Sequence, residues 1–204
     1  FLYVDRERKN ERNKLWRPRW NIPRYFEKGS YLALPINKTI ISNDFHEVEI
    51  KEFNREKFKW QQSIKKIPST KEFFKLAGYY LAEGSISSGH YLNFSFGSHE
   101  RNHIDEVKFL LKKVFNIDKT LEMHHKVNNG TSVVVCSTEL CRIFEKFGKK
   151  ANLKSIPQWM TIENPEKQKE LIKSYFFGDG NYYNKKSNKT GHLKEVFRIN
   201  SISE

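Results

Sequence analysis

Two stretches decide how this chain is built: Leu76-Ala77-Gly78-Tyr79-Tyr80-Leu81-Ala82-Glu83-Gly84 and Ile172-Lys173-Ser174-Tyr175-Phe176-Phe177-Gly178-Asp179-Gly180. Each has a small residue third, aromatic or aliphatic residues fourth to sixth, a small residue seventh, an acid eighth and glycine ninth. Small residues four apart, Gly78 with Ala82 and Ser174 with Gly178, share one side of a helix. They let two helices approach backbone to backbone. A carboxylate in the last turn faces the negative end of the helix dipole and is disfavoured there without a cation. Two such acids, brought together by packed helix ends, repel one another and invite a divalent metal.

Local signals on either side support the doubling. Ser69-Thr70-Lys71-Glu72 has the capping-box pattern, so a helix starts there, runs apolar nearly all round and stops at Gly84. Tyr91 to Phe96 alternates as a half-buried strand does. Ser98 is the expected cap of a second helix carrying Ile104, Val107, Leu111 and Val114. A hairpin then turns at Asn128-Asn129-Gly130, and a third helix runs from Thr138 to Phe147 before Gly148. After Pro157 a second cycle begins: Asn164 caps a helix with Pro165 at its first position, closed by Gly180. Strands follow at 181–186 and 193–202. Upstream, residues 37–68 read as a polar, irregular connector.

Composition narrows the partner. The 204 residues hold 37 Lys+Arg against 24 Asp+Glu, a net charge of +13, which favours a polyanion. Phe, Tyr and Trp make up 14%, enough to build a core and to exclude a disordered chain. No apolar run approaches the roughly 20 residues of a membrane span. Two cysteines exclude a disulfide scaffold and suit a reducing, intracellular compartment, cytoplasmic or nucleoid-associated. His124, His125, Cys136 and Cys141 lack the spacing of a zinc site. Residues 1–30 interleave cations with Trp16, Trp20, Tyr25 and Phe26, a pattern that suits a phosphate-contacting arm and equally a solvated edge strand or linker.

The doubled motif resembles the LAGLIDADG homing endonucleases, specifically those inserted in inteins, over roughly residues 70–204. The resemblance implies an α+β fold of two αββαββα lobes related by a pseudo-two-fold axis, each with a saddle-shaped antiparallel sheet. It also implies that the eighth-position acids, Glu83 and Asp179, bind Mg²⁺ at the scissile phosphates. Lys154, two residues before Ile156-Pro157, matches a lysine that functions in catalysis in the intein enzymes. Arg24 to Pro35 is similar to the splicing-domain segment that precedes an endonuclease insertion, with Ser30 in place of the usual acid. No splicing activity is expected of this chain itself.

The implied activity is site-specific double-strand cleavage of a long, asymmetric DNA target, by a monomeric pseudo-dimer that needs no membrane. The alternative within the same fold is a non-cleaving DNA- or RNA-binding maturase or regulator. Base reading falls to the strands after each motif. In the first lobe the outward candidates are Ser85, Ser87, His90, Asn93, Ser95, Lys126 and Asn128; in the second, Tyr182, Lys185, Lys186, Lys189, Lys194, Arg198 and Asn200. The expected division is a basic arm and splicing-like connector at 1–68, a first lobe at 69–157 and an incomplete second lobe at 158–204. Phe94–Glu100 aligns with Arg198–Glu204, so the chain is expected to belong to a longer polypeptide.

Overall fold

The computed structural model describes residues 2–4, 19–20, 31–32, 40–125, 127, 129–186 and 193–199. The chain divides into two compact units, Phe1–Thr39 and Ile40–Glu204. In the first, β1 (Leu2–Val4) pairs antiparallel with both β2 (Arg19–Trp20) and β3 (Tyr31–Leu32).

The second unit opens with a hairpin. β4 (Phe45–Asn54) and β5 (Lys59–Pro68) pair over their whole length, where the sequence reading expected an irregular connector. The period-two signal lies in Glu47-Val48-Glu49-Ile50-Lys51, whose Val48 and Ile50 are buried while the charges point out. Polar flanks and a turn without Asn-Gly hide it; Phe58 takes the left-handed conformation there, at φ 47°. The hairpin is anchored by His46, stacked on Trp159 at 4.1 Å, and by buried Glu163. That carboxylate accepts from Ser69 Oγ at 3.0 Å, the Asn43 amide at 3.3 Å and Lys167 Nζ at 3.0 Å. The burial cost of its charge is thereby offset.

Next come α1 (Lys71–Glu83), β6 (Gly84–Ser87), β7 (Tyr91–Gly97), α2 (Arg101–Phe115), β8 (Leu121–His125), β9 (Gly130–Cys136) and α3 (Thr138–Phe144). The strands form one antiparallel sheet in the order β6-β7-β9-β8. Leu92, Phe94 and Phe96 on β7, with Val133 and Val135 on β9, turn toward the helices and are buried. Against them pack the rings of α1, α3 and the 3-10 turn that follows it: Tyr80 lies 4.7 Å from Phe144, and Phe73 6.2 Å from Phe147. The first cycle is therefore αββαββα, as read from sequence.

Two caps differ from the sequence reading. The N-cap of α1 is Thr70, whose hydroxyl accepts from the Phe73 amide at 3.2 Å, because Ser69 is committed to Glu163. α2 begins one residue after Glu100 without a side-chain cap bond, while Ser98 pairs with Thr131 across the sheet at 3.1 Å. Thr70→Ala is expected to cost about 1 kcal/mol in urea denaturation. Ser69→Ala, which strips a donor from a buried carboxylate, is expected to cost more, about 1–3 kcal/mol.

After a short helix α4 (Gln158–Thr161), α5 (Pro165–Asp179) runs against α1 and leads into the hairpin β10 (Gly180–Lys186) and β11 (Leu193–Ile199). Asn164 caps α5, accepting from the Glu166 amide at 2.9 Å, with Pro165 first in the helix as expected. This repeats the helix–strand–strand order of α1, β6 and β7.

Candidate active site

The site is made where α1 and α5 end together. The two helices touch through their small residues. A Cβ on Gly78 would overlap Ser174 Oγ and the Leu171 carbonyl, and one on Gly178 would overlap Ala82 Cβ. Ser174 is fully buried and turns its hydroxyl back onto the Glu170 and Leu171 carbonyls, at 2.9 and 3.1 Å. Such contact leaves no room for larger residues in the shared seam. Both chains leave the helices at glycine: the Gly84 and Gly180 amides donate to Tyr80 O and Phe176 O. The acids Glu83 and Asp179 are consequently the last helical residues on each side.

The charge of Asp179 acts on Glu83, and that of Lys154 acts on both acids. Burial pushes the Glu83 carboxyl up to about 7, and the neighbouring charges of Asp179 and Glu100 push in the same direction; only Lys154 opposes them. Asp179 is also raised, by desolvation, against the pull of Lys154 and a hydrogen bond from Tyr175. Burial lowers Lys154, and the two acids act to raise it. Glu83, Asp179 and Lys154 thus form one coupled set, and the three residues singled out from sequence converge.

Lys154 reaches the acids because of a glycine. Gly148 has φ 93°, and a Cβ there would overlap the Leu153 carbonyl. The chain folds back on itself, with the Ser155 amide donating to Phe147 O at 3.0 Å and Tyr80 Oη to Gly148 O at 2.7 Å. Lys154 Nζ then lies 5.5 Å from the Tyr80 ring centre and donates to Ala82 O at 3.2 Å, one residue before Glu83. Sequence reading missed Glu100 and Tyr175. Glu100 is distant in sequence and, by its backbone, merely the residue before α2. Tyr175 occupies an ordinary aromatic position of the motif.

The αββαββα frame that begins with α1 matches a known family profile over residues 71–148. The match is to the family described as the LAGLIDADG-like domain. The chain is also 32% identical over 141 residues to the uncharacterized protein MJ1054 of Methanocaldococcus jannaschii, covering 63% of this chain and 15% of that protein. A second uncharacterized protein of the same organism, MJ0043, is 30% identical over 114 residues, covering 52% of this chain and 14% of that protein. The chain therefore spans only about one-seventh of the length of these relatives.

Within residues 71–148, the sheet face turned away from the helices is set by register. Ser85 opposes Asn93, Ser87 opposes Tyr91, and Ser95 opposes Ser132, so the four first-lobe strand candidates share that face. His90 is exposed in the turn before β7, its ring 4.8 Å from that of Tyr91. Tyr91, Ser132 and His125 share the outer face too and were missed; Ser132 is hidden in sequence by the valine run that follows it. Lys126 and Asn128 lie outside the described residues. On β10 and β11, Tyr182 is exposed, on the strand face that carries Phe197. Its ring lies 4.9 Å from Phe197, which lies 5.8 Å from Phe176 of α5. Alternation puts Tyr183 on the face of Arg198. Lys185, Lys186 and Lys194 sit on these strands with side chains outside the described residues, as are Lys189 and Asn200 altogether.

The zinc possibility finds no support in the geometry of the described residues. His124 Nδ1 is 2.9 Å from Thr131 Oγ1, His125 Nε2 is 3.0 Å from Ser132 Oγ, and Cys141 is buried in α3. Among the described residues, no helix is long and apolar enough to cross a membrane.

Proposed function

We propose that this chain carries a metal-dependent, site-specific DNA endonuclease of the homing type, inserted in an intein. The observation that supports this reading is the convergence of Glu83, Asp179 and Lys154 at the joined ends of α1 and α5. Two carboxylates suit a divalent cation that prefers oxygen donors, and Mg²⁺ fits because it keeps several waters. The raised Glu83 and Asp179 are also carboxylates whose ionisation a cation would favour. When bound, such a metal supplies electrostatic stabilisation to the charge that builds on a scissile phosphate.

The protein's own groups have separate tasks. Glu83 and Asp179 would hold the cation, one from each helix. Lys154 places an ammonium, fixed by the Ala82 carbonyl, where a phosphate oxygen would approach. The outer faces of the sheets track the duplex, and the basic N-terminal segment contacts its backbone. The pairing of one acid per helix suits one cut in each strand.

The test is cleavage of double-stranded DNA carrying a site selected by this chain, in Mg²⁺ and in EDTA. Linear product in Mg²⁺ alone is expected. Retention of DNA with no cut in any divalent metal would overturn the nuclease reading in favour of a binding-only maturase or regulator.

A further inference from the structure

The outer face of the β6-β7-β9-β8 sheet is unusual in a chain of net charge +13. Among the described residues it carries Ser, Asn, His, Tyr, Cys and aliphatic side chains, and no Lys, Arg, Asp or Glu. The sequence of 84–97 and 121–136 holds a single lysine, Lys126, and no arginine. Residues 180–199 instead hold Lys185, Lys186, Lys189, Lys194 and Arg198. The two strand sets are thus chemically different readers.

Guanine presents two acceptors in the major groove, O6 and N7, which a bidentate Arg or Lys matches best. The first face has no such fork among its described residues. What it presents is an acceptor and apolar surface. Asn93 Nδ2 is occupied by Ser87 Oγ at 3.1 Å and Tyr91 O at 3.3 Å, which leaves Oδ1 for an incoming amino group. Leu121 and Met123, on the edge strand, are 63% and 51% exposed. An acceptor matches the adenine N6 amine, and exposed aliphatic surface matches the thymine C5 methyl. A cytosine N4 amine would satisfy Asn93 equally, but its guanine partner would set O6 and N7 against a face that holds no cation among its described residues. Ser95, Ser132 and His125 line a hollow of 370 Å³ and are hydrogen-bonded to one another at 3.2 and 3.0 Å.

We infer that the half-site read by residues 84–136 is A·T-rich, recognised through Asn93 Oδ1 and through thymine-methyl contact with Leu121 and Met123. This rests on the DNA-binding reading above. The experiment is selection from a randomised duplex library by the chain, its Asn93→Arg variant and its Leu121→Ser/Met123→Ser variant, each first checked for native circular dichroism. Wild type is expected to favour A·T over G·C by at least about fivefold at successive positions of one half. Asn93→Arg is expected to bring guanine to one position of that same half, and the double variant to remove its thymine preference. If Asn93→Arg acts on a half that wild type fills with G·C, or neither variant alters the selected sequences, the inference fails while DNA binding stands. If the chain retains no duplex even at low salt, the nuclease reading fails and this inference with it.

Discussion

Gly78→Val should separate α1 from α5 and destabilise the protein by about 3 kcal/mol or more, at the upper end of overpacking costs. The reason is the nature of the obstacle. The new Cβ would overlap a backbone carbonyl, that of Leu171, and the hydroxyl of Ser174, which is itself tied to two carbonyls. None of these is the free end of a flexible side chain, so the helices must move apart. Ser174→Gly in the same background is expected to recover only part of the loss, because the Leu171 carbonyl remains. Chemical denaturation measures the stability. A Gly78→Val protein as stable as wild type would show that the seam is loose.

Glu83→Gln is expected to lower cleavage at least about 100-fold, since even partners one step removed from a metal ligand cost 10- to 100-fold. The same substitution has an opposite effect on stability without metal. The folded-state pKa of Glu83 is raised to about 7 from an ordinary 4.5. A raised carboxyl binds its proton more tightly in the folded state, so its contribution is present below the unfolded pKa and is lost as pH rises through the folded one. Metal-free wild type should therefore lose stability between about pH 4.5 and 7, on the order of 2 kcal/mol. Glu83→Gln should remove this segment of the pH profile, leaving the variant more stable than wild type at pH 8. Lys154 is the group that lowers the Glu83 pKa, so Lys154→Met should move the transition to higher pH. Thermal melts from pH 4 to 9 in EDTA measure all three. A pH-independent difference between wild type and Glu83→Gln would rule out the coupled acid pair.

The two effects together separate a functional strain from a structural contact. An acid kept only for packing would stabilise the fold when ionised. Glu83 does the reverse: its charge is opposed by burial, by Asp179 and by Glu100, and its compensation comes from Lys154. Such placement makes sense where a further cation completes the site.

Sequence by itself determined the elements that rest on local rules. The doubled motif, with small residues four apart and an acid before glycine, specified two helices that pack tightly and carry their carboxylates to one end. Asn164-Pro165 began α5, and alternation from Tyr91 to Phe96 separated the outer face from the core. Tertiary structure decided what depends on distant partners. Ser69 gave up its cap to neighbouring Thr70 because Glu163, far along the chain, needed a donor. Residues 45–68 formed a hairpin because burial of Val48, Ile50 and Ile67 rewards an alternation too polar to stand out alone. The exposed Tyr182 ring lies against Phe197, which in turn meets Phe176 of α5, a chain of contacts set by strand pairing and helix position together. Glu100 joined the site because electrostatic coupling acts through space. Helix seams and strand faces are written at fixed sequence intervals. The charge around an active centre is a sum over neighbours that only folding assembles.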